Sequence, residues 1–265
     1  MARRSFMATE GTGGQEKVAL QYMTWREISE ALDRGFDTVV VMVGSIEQHG
    51  PHLPISTDTV IADDLGVRVA RKLGNALAAP TIRPGCSDHH MSFPGTISIR
   101  PEVLLEILRD YCRCLAKHGF KRIILASSHG GNFAPLETFA PGLVREFPEL
   151  RIVHYGDLSG FMETWREQVV KLGLDPEKAG GHSCLGETSE MLFLKPEAVR
   201  MDWAEPGYIG PLKGQLSRVM RDGIKAVTKN GIIGDPRGSN PEIGEALLEA
   251  IAAHLAQWAS EELEG

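Results

Sequence analysis

TVVVMVGSIEQHGPHLPISTDT, residues 38–59, runs from an apolar strand into a loop dense in oxygen and imidazole donors. Val39, Val40, Val41 and Val43 make a β-branched run with no polar alternation, ending at Gly44. A strand of that kind is covered on both faces, as in the parallel sheets of α/β proteins. Glu47, His49, His52 and Asp58 then follow, spaced by Gly50, Pro51 and Pro54. Glu47 and His49 are two apart, so an extended chain past Gly44 points both to one side. Each has a plain reading alone: a solvated Glu47, a loop-holding His49, and an Asp58 that caps a helix. Delivered together by one proline-stiffened loop, they read as a site, and carboxylate oxygen with imidazole nitrogen suits Zn or Mn.

Outward from this stretch, the pattern alternates. Thr24 and Glu27 form a capping-box pair ahead of Ile28, Ala31 and Leu32, with Gly35 to close the helix. After the loop, Ile61, Leu65, Val69 and Leu73 repeat at helical spacing up to Gly74, placing Asp58 at a helix N-terminus. Residues 76–82 read as a strand. Pro101 opens a helix whose buried face includes Leu104, Leu108 and Leu115. FKRIILAS (120–127) is a second apolar strand, running directly into His129. A helix from Ala134, bent or interrupted at Pro141, precedes a strand at 150–155, a helix at 157–172 and a flexible loop at 174–187. A short helix up to Pro196 follows, then a long Gly- and Pro-rich connection over 202–240 and a terminal helix from Pro241 to about Leu263. Strands alternating with helices imply a mostly parallel sheet covered on both faces. Ligands in such sheets bind beyond the carboxyl ends of the strands, so Glu47, His49 and His129 are expected to converge.

Composition narrows the function classes. The 265 residues suffice for one large domain, with residues 1–18 read as a flexible tail and 19–265 as the single folded domain. A net charge of −7 with no basic stripe argues against a nucleic-acid partner and leaves a small-molecule substrate. No apolar run approaches a membrane span, and MARRSFMATEGTGGQEK has arginines with no apolar run behind them, so it is no secretory signal. Cys86, Cys112, Cys114 and Cys184 lack C-x-x-C spacing, which matches reduced, cytoplasmic usage.

The remaining candidates are scattered along the chain. His129 is followed by Gly130, Gly131 and Asn132, a turn whose backbone can approach a substrate and whose amides can clamp an oxyanion. Glu187 is preferred over Glu190 as a ligand, and His182 reads as a mobile proton carrier. His89 and His90 sit in a loop of unassigned position and are candidate contacts for substrate or a neighbouring subunit, His89 first for substrate, and His52 is expected to be structural or to orient a ligand. Trp203 and Tyr208 are candidates for a pocket wall or a subunit contact. There is no G-x-S-x-G elbow, Walker sequence or G-x-G-x-x-G after the first strand.

GSIEQHGPHLPISTDT, FPGTISI, HGFKRIILASSHGGN and GHSCLGETSEM, in that order, resemble the creatininase (creatinine amidohydrolase) family over roughly residues 20–200. The resemblance implies a three-layer α/β/α sandwich and a binuclear centre of two divalent cations, Zn and/or Mn with Fe a further candidate. Glu47 and His129 would bind one, His49 and Glu187 the other, and Asp58 both, with His182 as acid/base. It also implies a homo-oligomer, up to a hexamer. Two departures count against creatinine as substrate: Gly131 stands where creatininase has a metal-binding glutamate, and residues 173–185 lack the tryptophan that covers creatinine. SSHGGN also differs from the more usual NGHGGN just before the ligand. HGGN branches include a deformylase, a peptidase that trims a cofactor precursor, and hydrolases of cyclic keto-sugars or keto-inositols. The expected activity is hydrolysis of a small cyclic amide, formamide or similar substrate; a metal-binding protein without catalysis is the non-enzyme alternative.

Overall fold

In the computed structural model, which describes residues 17–211 and 214–265, the valine run forms β1 (Thr38–Val43), buried at every position. Three strands join it: β2 (Ala76–Ala78), β3 (Arg122–Ser127) and β4 (Arg151–His154), all parallel, in the order β2-β1-β3-β4. The register sets Val39 beside Leu77 and Val43 beside Ser127, so β1 and β3 end level with each other. The chain leaves β1 toward β2 and then crosses back to β3. The gap beyond the carboxyl ends of β1 and β3 is therefore the topological switch point, where open α/β sheets bind ligands.

The helices are α1 (Trp25–Asp33), α2 (Thr57–Leu73), α3 (Pro101–Lys117), α4 (Phe133–Glu146), α5 (Leu158–Lys171), α6 (Pro176–Ala179), α7 (Leu185–Leu194), α8 (Gln215–Asp222) and α9 (Pro241–Glu264). One layer is built from α2, α5, α7 and α9, with α2 against β1 and β2; α4 packs on β3 and β4 beside α3. The sheet thus has helices on both sides, as the alternating pattern predicts.

Local chemistry explains the boundaries. Thr24 and Glu27 complete the capping box of α1, and α2 stops where Gly74 takes a left-handed φ of 79°. Pro101 opens α3 and Pro241 opens α9, whose N-cap Asn240 side chain accepts the Ile243 amide at 3.0 Å. α9 buries Leu247, Leu248, Ile251 and Leu255 at helical spacing.

Several expectations are adjusted. Of the tail expected over 1–18, residues 1–16 lie outside the described residues, whereas Val18 is buried and its carbonyl accepts from the Ala78 amide at 2.8 Å. The strand expected over 76–82 ends at Ala78, two residues ahead of Pro80; Ile82 rejoins β1 through a bond to the Met42 carbonyl at 3.0 Å. α4 runs through Pro141 without interruption. The expected flexible loop at 174–187 holds α6 and is pinned: the Gly181 and His182 amides bond the Ile233 carbonyl, and Ile233 bonds back to His182 at 2.9 Å. The long connection 202–240 contains α8.

Gly44, at the end of β1, admits the start of α2: a Cβ there would lie 2.7 Å from the Thr59 Cα. Gly44→Ala is expected to destabilise the protein by about 1–3 kcal/mol through overpacking, read as a lowered midpoint in urea unfolding with an unchanged slope.

Candidate metal centre

The strand-end loop turns its donors inward because its backbone is tied on both sides. Ile46 pairs with Ile97, the Glu47 amide bonds the Ile55 carbonyl at 2.8 Å, and His49 pairs with Leu53. Glu47, His49 and Asp58 are each at most 2% exposed. Asp58 lies in the first turn of α2, where the positive end of the helix dipole favours its charge. Ser128 Oγ donates to the Asp58 carbonyl at 2.8 Å, and Ser127 Oγ donates to the Val43 carbonyl at 2.8 Å. The two serines before His129 thus lock the ends of β1, β3 and α2 together.

The five expected ligands converge. Asp58 Oδ1 faces His49 Nε2 at 3.3 Å and its Oδ2 faces His129 Nδ1 at 3.2 Å. Glu47 Oε1 lies 3.3 Å from His129 Nδ1, and Glu187 Oε2 lies 3.8 Å from His49 Nε2. Glu190, one helical turn further along α7, makes no ion pair with a histidine among the described residues, and burial holds its carboxyl well above the usual range.

His49 and His129 each have one ring nitrogen engaged outside the cluster. His49 Nδ1 donates to the Glu47 carbonyl at 3.1 Å, leaving Nε2 for the cluster. His129 Nε2 donates to the Cys86 carbonyl at 3.1 Å, leaving Nδ1. This arrangement fixes the ligand nitrogen of a metal-binding histidine. His49 Nε2 and Asp58 Oδ2 are buried with no hydrogen-bond partner. Buried polar atoms of this kind are costly unless something binds them. Carboxylate and imidazole atoms left facing one another fit a divalent cation.

The electrostatics agree. Burial alone would depress His49, but Asp58, then Glu187 and Glu47, outweigh it and raise it to about 10. Burial likewise opposes ionisation of Asp58 and Glu47, yet the neighbouring histidines hold both below the usual carboxylate range. Glu187 is pushed up to about 7, first by burial, with His49 opposing and Asp58 adding. Glu47, Asp58 and Glu187 together favour positive charge at the centre of the cluster, which is why His49 and His129 are both raised.

His182 joins the cluster across the cavity, its ring 4.3 Å from that of His49 and its Nδ1 3.8 Å from Glu47 Oε1. Burial, then the charge on His49, pushes it down to about 3, so it is neutral near pH 7. Gln48, for which the sequence offers no role, and His90, a candidate for a substrate or subunit contact, complete the proton arrangement. The Gln48 Oε1 accepts the Gly50 amide at 3.0 Å, which makes its Nε2 the donor side, and that donates to the Gly231 carbonyl and to His90 Nδ1 at 2.9 Å. His90 therefore carries its proton on Nε2, 3.5 Å from Glu47 Oε1. His182 Nε2 lies 2.9 Å from the Gln48 carbonyl and 3.0 Å from Gln48 Nε2; the carbonyl only accepts and the two Gln48 amide protons go to Gly231 and His90, so His182 Nε2 carries the proton and its bare Nδ1 faces the site. The neighbouring pair His89-His90 was the sequence signal, but its loop had no assigned place.

Other expectations divide. His52 bonds Thr188 Oγ1 at 2.9 Å, bracing the residue after Glu187, as an orienting histidine should. Gly130, Gly131 and His89 line the cavity. Asn132, expected to bind substrate, is a strut instead: it is fully buried, its Nδ2 donates to the Gly44 carbonyl and Ser127 Oγ, and its Oδ1 accepts the Cys86 amide at 2.9 Å. Trp203 is exposed and does not line the cavity; the 202–240 segment contributes Leu216, Val219, Met220 and Ile224 instead. The cavity, of about 150 Å³, continues from the donors past Phe133, Phe161 and Trp165.

Residues 21–259 match the family model for creatininase, described as creatinine amidohydrolase. The chain belongs to the creatininase family. The mycofactocin precursor peptide peptidase of Mycolicibacterium smegmatis is 35% identical over 229 residues, spanning 83% of this chain and 85% of that protein. The creatinine amidohydrolase of Pseudomonas putida is 30% identical, spanning 68% of this chain and 73% of that one. A creatininase variant of the Zn-Zn type superposes with a TM-score of 0.76 at 26% identity, covering 95% of this chain and 100% of that one. A manganese creatininase does so with a TM-score of 0.75 at 26% identity, covering 94% and 100%. The protein is thus a hydrolase of the creatininase family, and no described helix is long and apolar enough to cross a membrane.

Asn132→Ala leaves the Gly44 carbonyl and Cys86 amide unpaired. It is expected to cost about 1–3 kcal/mol in chemical denaturation, an effect that a residue touching only substrate would not produce.

Proposed function

We propose that this creatininase-family protein hydrolyses an amide C–N bond in a small substrate carrying an apolar group, with two divalent cations, Zn or Mn. Glu47 and His129 would hold one, His49 and Glu187 the other, and Asp58 would serve both. The observation that carries the reading is Asp58 itself, buried with its two oxygens facing different histidines. When bound, the cations supply Lewis acidity at the carbonyl and a water activated near neutral pH.

The chain's own groups do the rest. His182, neutral and with Nδ1 turned to the site, accepts a proton during attack and returns it to the departing nitrogen. Gln48 holds that ring in place by accepting its Nε2 proton. Gly130 and Gly131 bring backbone rather than side chains to the cavity wall, leaving room for the acyl group. The aromatic and aliphatic walls exclude water from the scissile bond and receive the apolar group.

A second reading is cleavage of a peptide bond beside a bulky apolar residue. The apolar lining of the cavity favours it, as does similarity to the mycofactocin precursor peptide peptidases. The same walls offer little to the hydroxyls of a keto-inositol. Assembly into a homo-oligomer, up to a hexamer, belongs to this reading through the family resemblance, and mass photometry measures it.

Chelation should abolish turnover and added Zn or Mn should restore it; full activity of metal-stripped protein would overturn the scheme. Asp58→Asn is expected to lose both cations in elemental analysis. His182→Ala should retain them while kcat falls by about 10²–10⁴-fold. Across formamides, lactams, blocked dipeptides and a keto-inositol, amides with a bulky apolar group should react fastest. Preference for the keto-inositol would sink that assignment, and bound metal with no turnover on any of them would favour the non-enzyme alternative.

A further inference from the structure

The imidazoles around the cluster differ in what their ring nitrogens do. His49 and His129 each donate from one nitrogen to a backbone carbonyl. His90 accepts from Gln48 and turns its remaining proton toward Glu47, which rules it out as a ligand in this tautomer. His182 donates to the Gln48 carbonyl. His89 is the exception: no hydrogen bond to it is found among the described residues, although it lines the cavity beside the donors.

Its placement is specific. The His89 ring lies nearly parallel to that of His129, with centroids 5.6 Å apart and an interplanar angle of 10°. Glu47, His89 and His129 each present a ligand atom, and the three atoms lie within 4.8 Å of one another. Gly131 admits this approach: a Cβ there would lie 2.8 Å from His89 Cε1 and 2.5 Å from His129 Nε2. The short 3-10 turn Asp88–His90 that carries the ring follows Ser87, whose amide bonds Ser98 Oγ at 2.9 Å and whose Oγ meets Ser45 Oγ at 2.5 Å. The backbone under His89 is thereby tied to the same strand-end loop as Glu47.

The geometry points to His89 as a fourth protein ligand of the cation held by Glu47, Asp58 and His129. This inference rests on the two-cation reading above. It makes the two halves unequal. The Glu47 half has four protein donors, whereas His49, Asp58 and Glu187 supply three and leave a position open, as catalytic sites do. The added donor is an imidazole, so it completes coordination without adding negative charge to a cluster that already holds three carboxylates.

The test is calorimetric titration of the stripped, full-length protein with Zn, cross-checked by competition with a chromophoric chelator. Wild-type protein is expected to bind two ions per chain with unequal affinity. His89→Ala should weaken the tighter site by about tenfold or more and leave the other within twofold, and free imidazole should restore the loss. Glu187→Gln should weaken the other site instead. His89→Gln, which keeps bulk and polarity, guards against a folding defect and should weaken the same site; circular dichroism verifies the fold of each variant. Affinities at both sites within twofold of wild type in His89→Ala and His89→Gln would overturn the assignment of His89. Wild-type protein that binds fewer than two ions would instead overturn the two-cation reading and the inference with it, so the two failures are distinguishable.

Discussion

The ionised carboxyl of Asp58, buried between His49 and His129, is the constraint on which the rest of the site depends. A carboxylate removed from water costs several kcal/mol unless it is met by opposite charge and good geometry. Here the requirement draws three elements together. α2 supplies the residue in its first turn, β1 supplies His49 through its following loop, and β3 supplies His129. The fit is close enough that Gly44 must lack a side chain, and Ser128 must tie the Asp58 carbonyl to the end of β3.

Proton placement is the second layer of the site, and Gln48 governs much of it. Its side-chain orientation is set by the Gly50 amide and the Gly231 carbonyl, not by the histidines. From that fixed orientation it selects the tautomer of His90, while its backbone carbonyl selects that of His182. His182 is further held by pairing with Ile233, so the acid/base candidate sits on an anchored segment rather than a mobile one. Rigidity of this kind favours catalysis, since a proton carrier held in place needs no reordering at the moment of reaction.

Much of the fold was legible in the residue pattern because its causes are local. The valine run, the capping box at Thr24, the prolines that open α3 and α9, and the αL glycine after α2 each act within a few residues. The convergence of Glu47, His49 and His129 also followed from topology, since β1 and β3 are neighbours ending level with each other. Asn132 was misread for the opposite reason. In sequence it belongs to a glycine turn that invites a ligand, but its partners Gly44 and Cys86 lie far away along the chain, and they use up its hydrogen-bonding groups. His89 and His90 lacked a position because their loop has no periodicity, and only its docking onto Ser45 and Gln48 places it.

By itself, the sequence determined the α/β alternation, the strand-end loop with its Glu47, His49 and Asp58, and the family to which that loop belongs. The tertiary structure alone decided which nitrogen of each histidine is free, which polar side chains are struts, and that the cavity beside the donors is walled by Phe133, Phe161 and Trp165. The division has a physical cause. Strand, cap and helix signals are written by neighbours in the chain, whereas a tautomer, a strut or a cavity wall is set by contacts between residues such as Gln48 and His182 that meet only after the chain has folded.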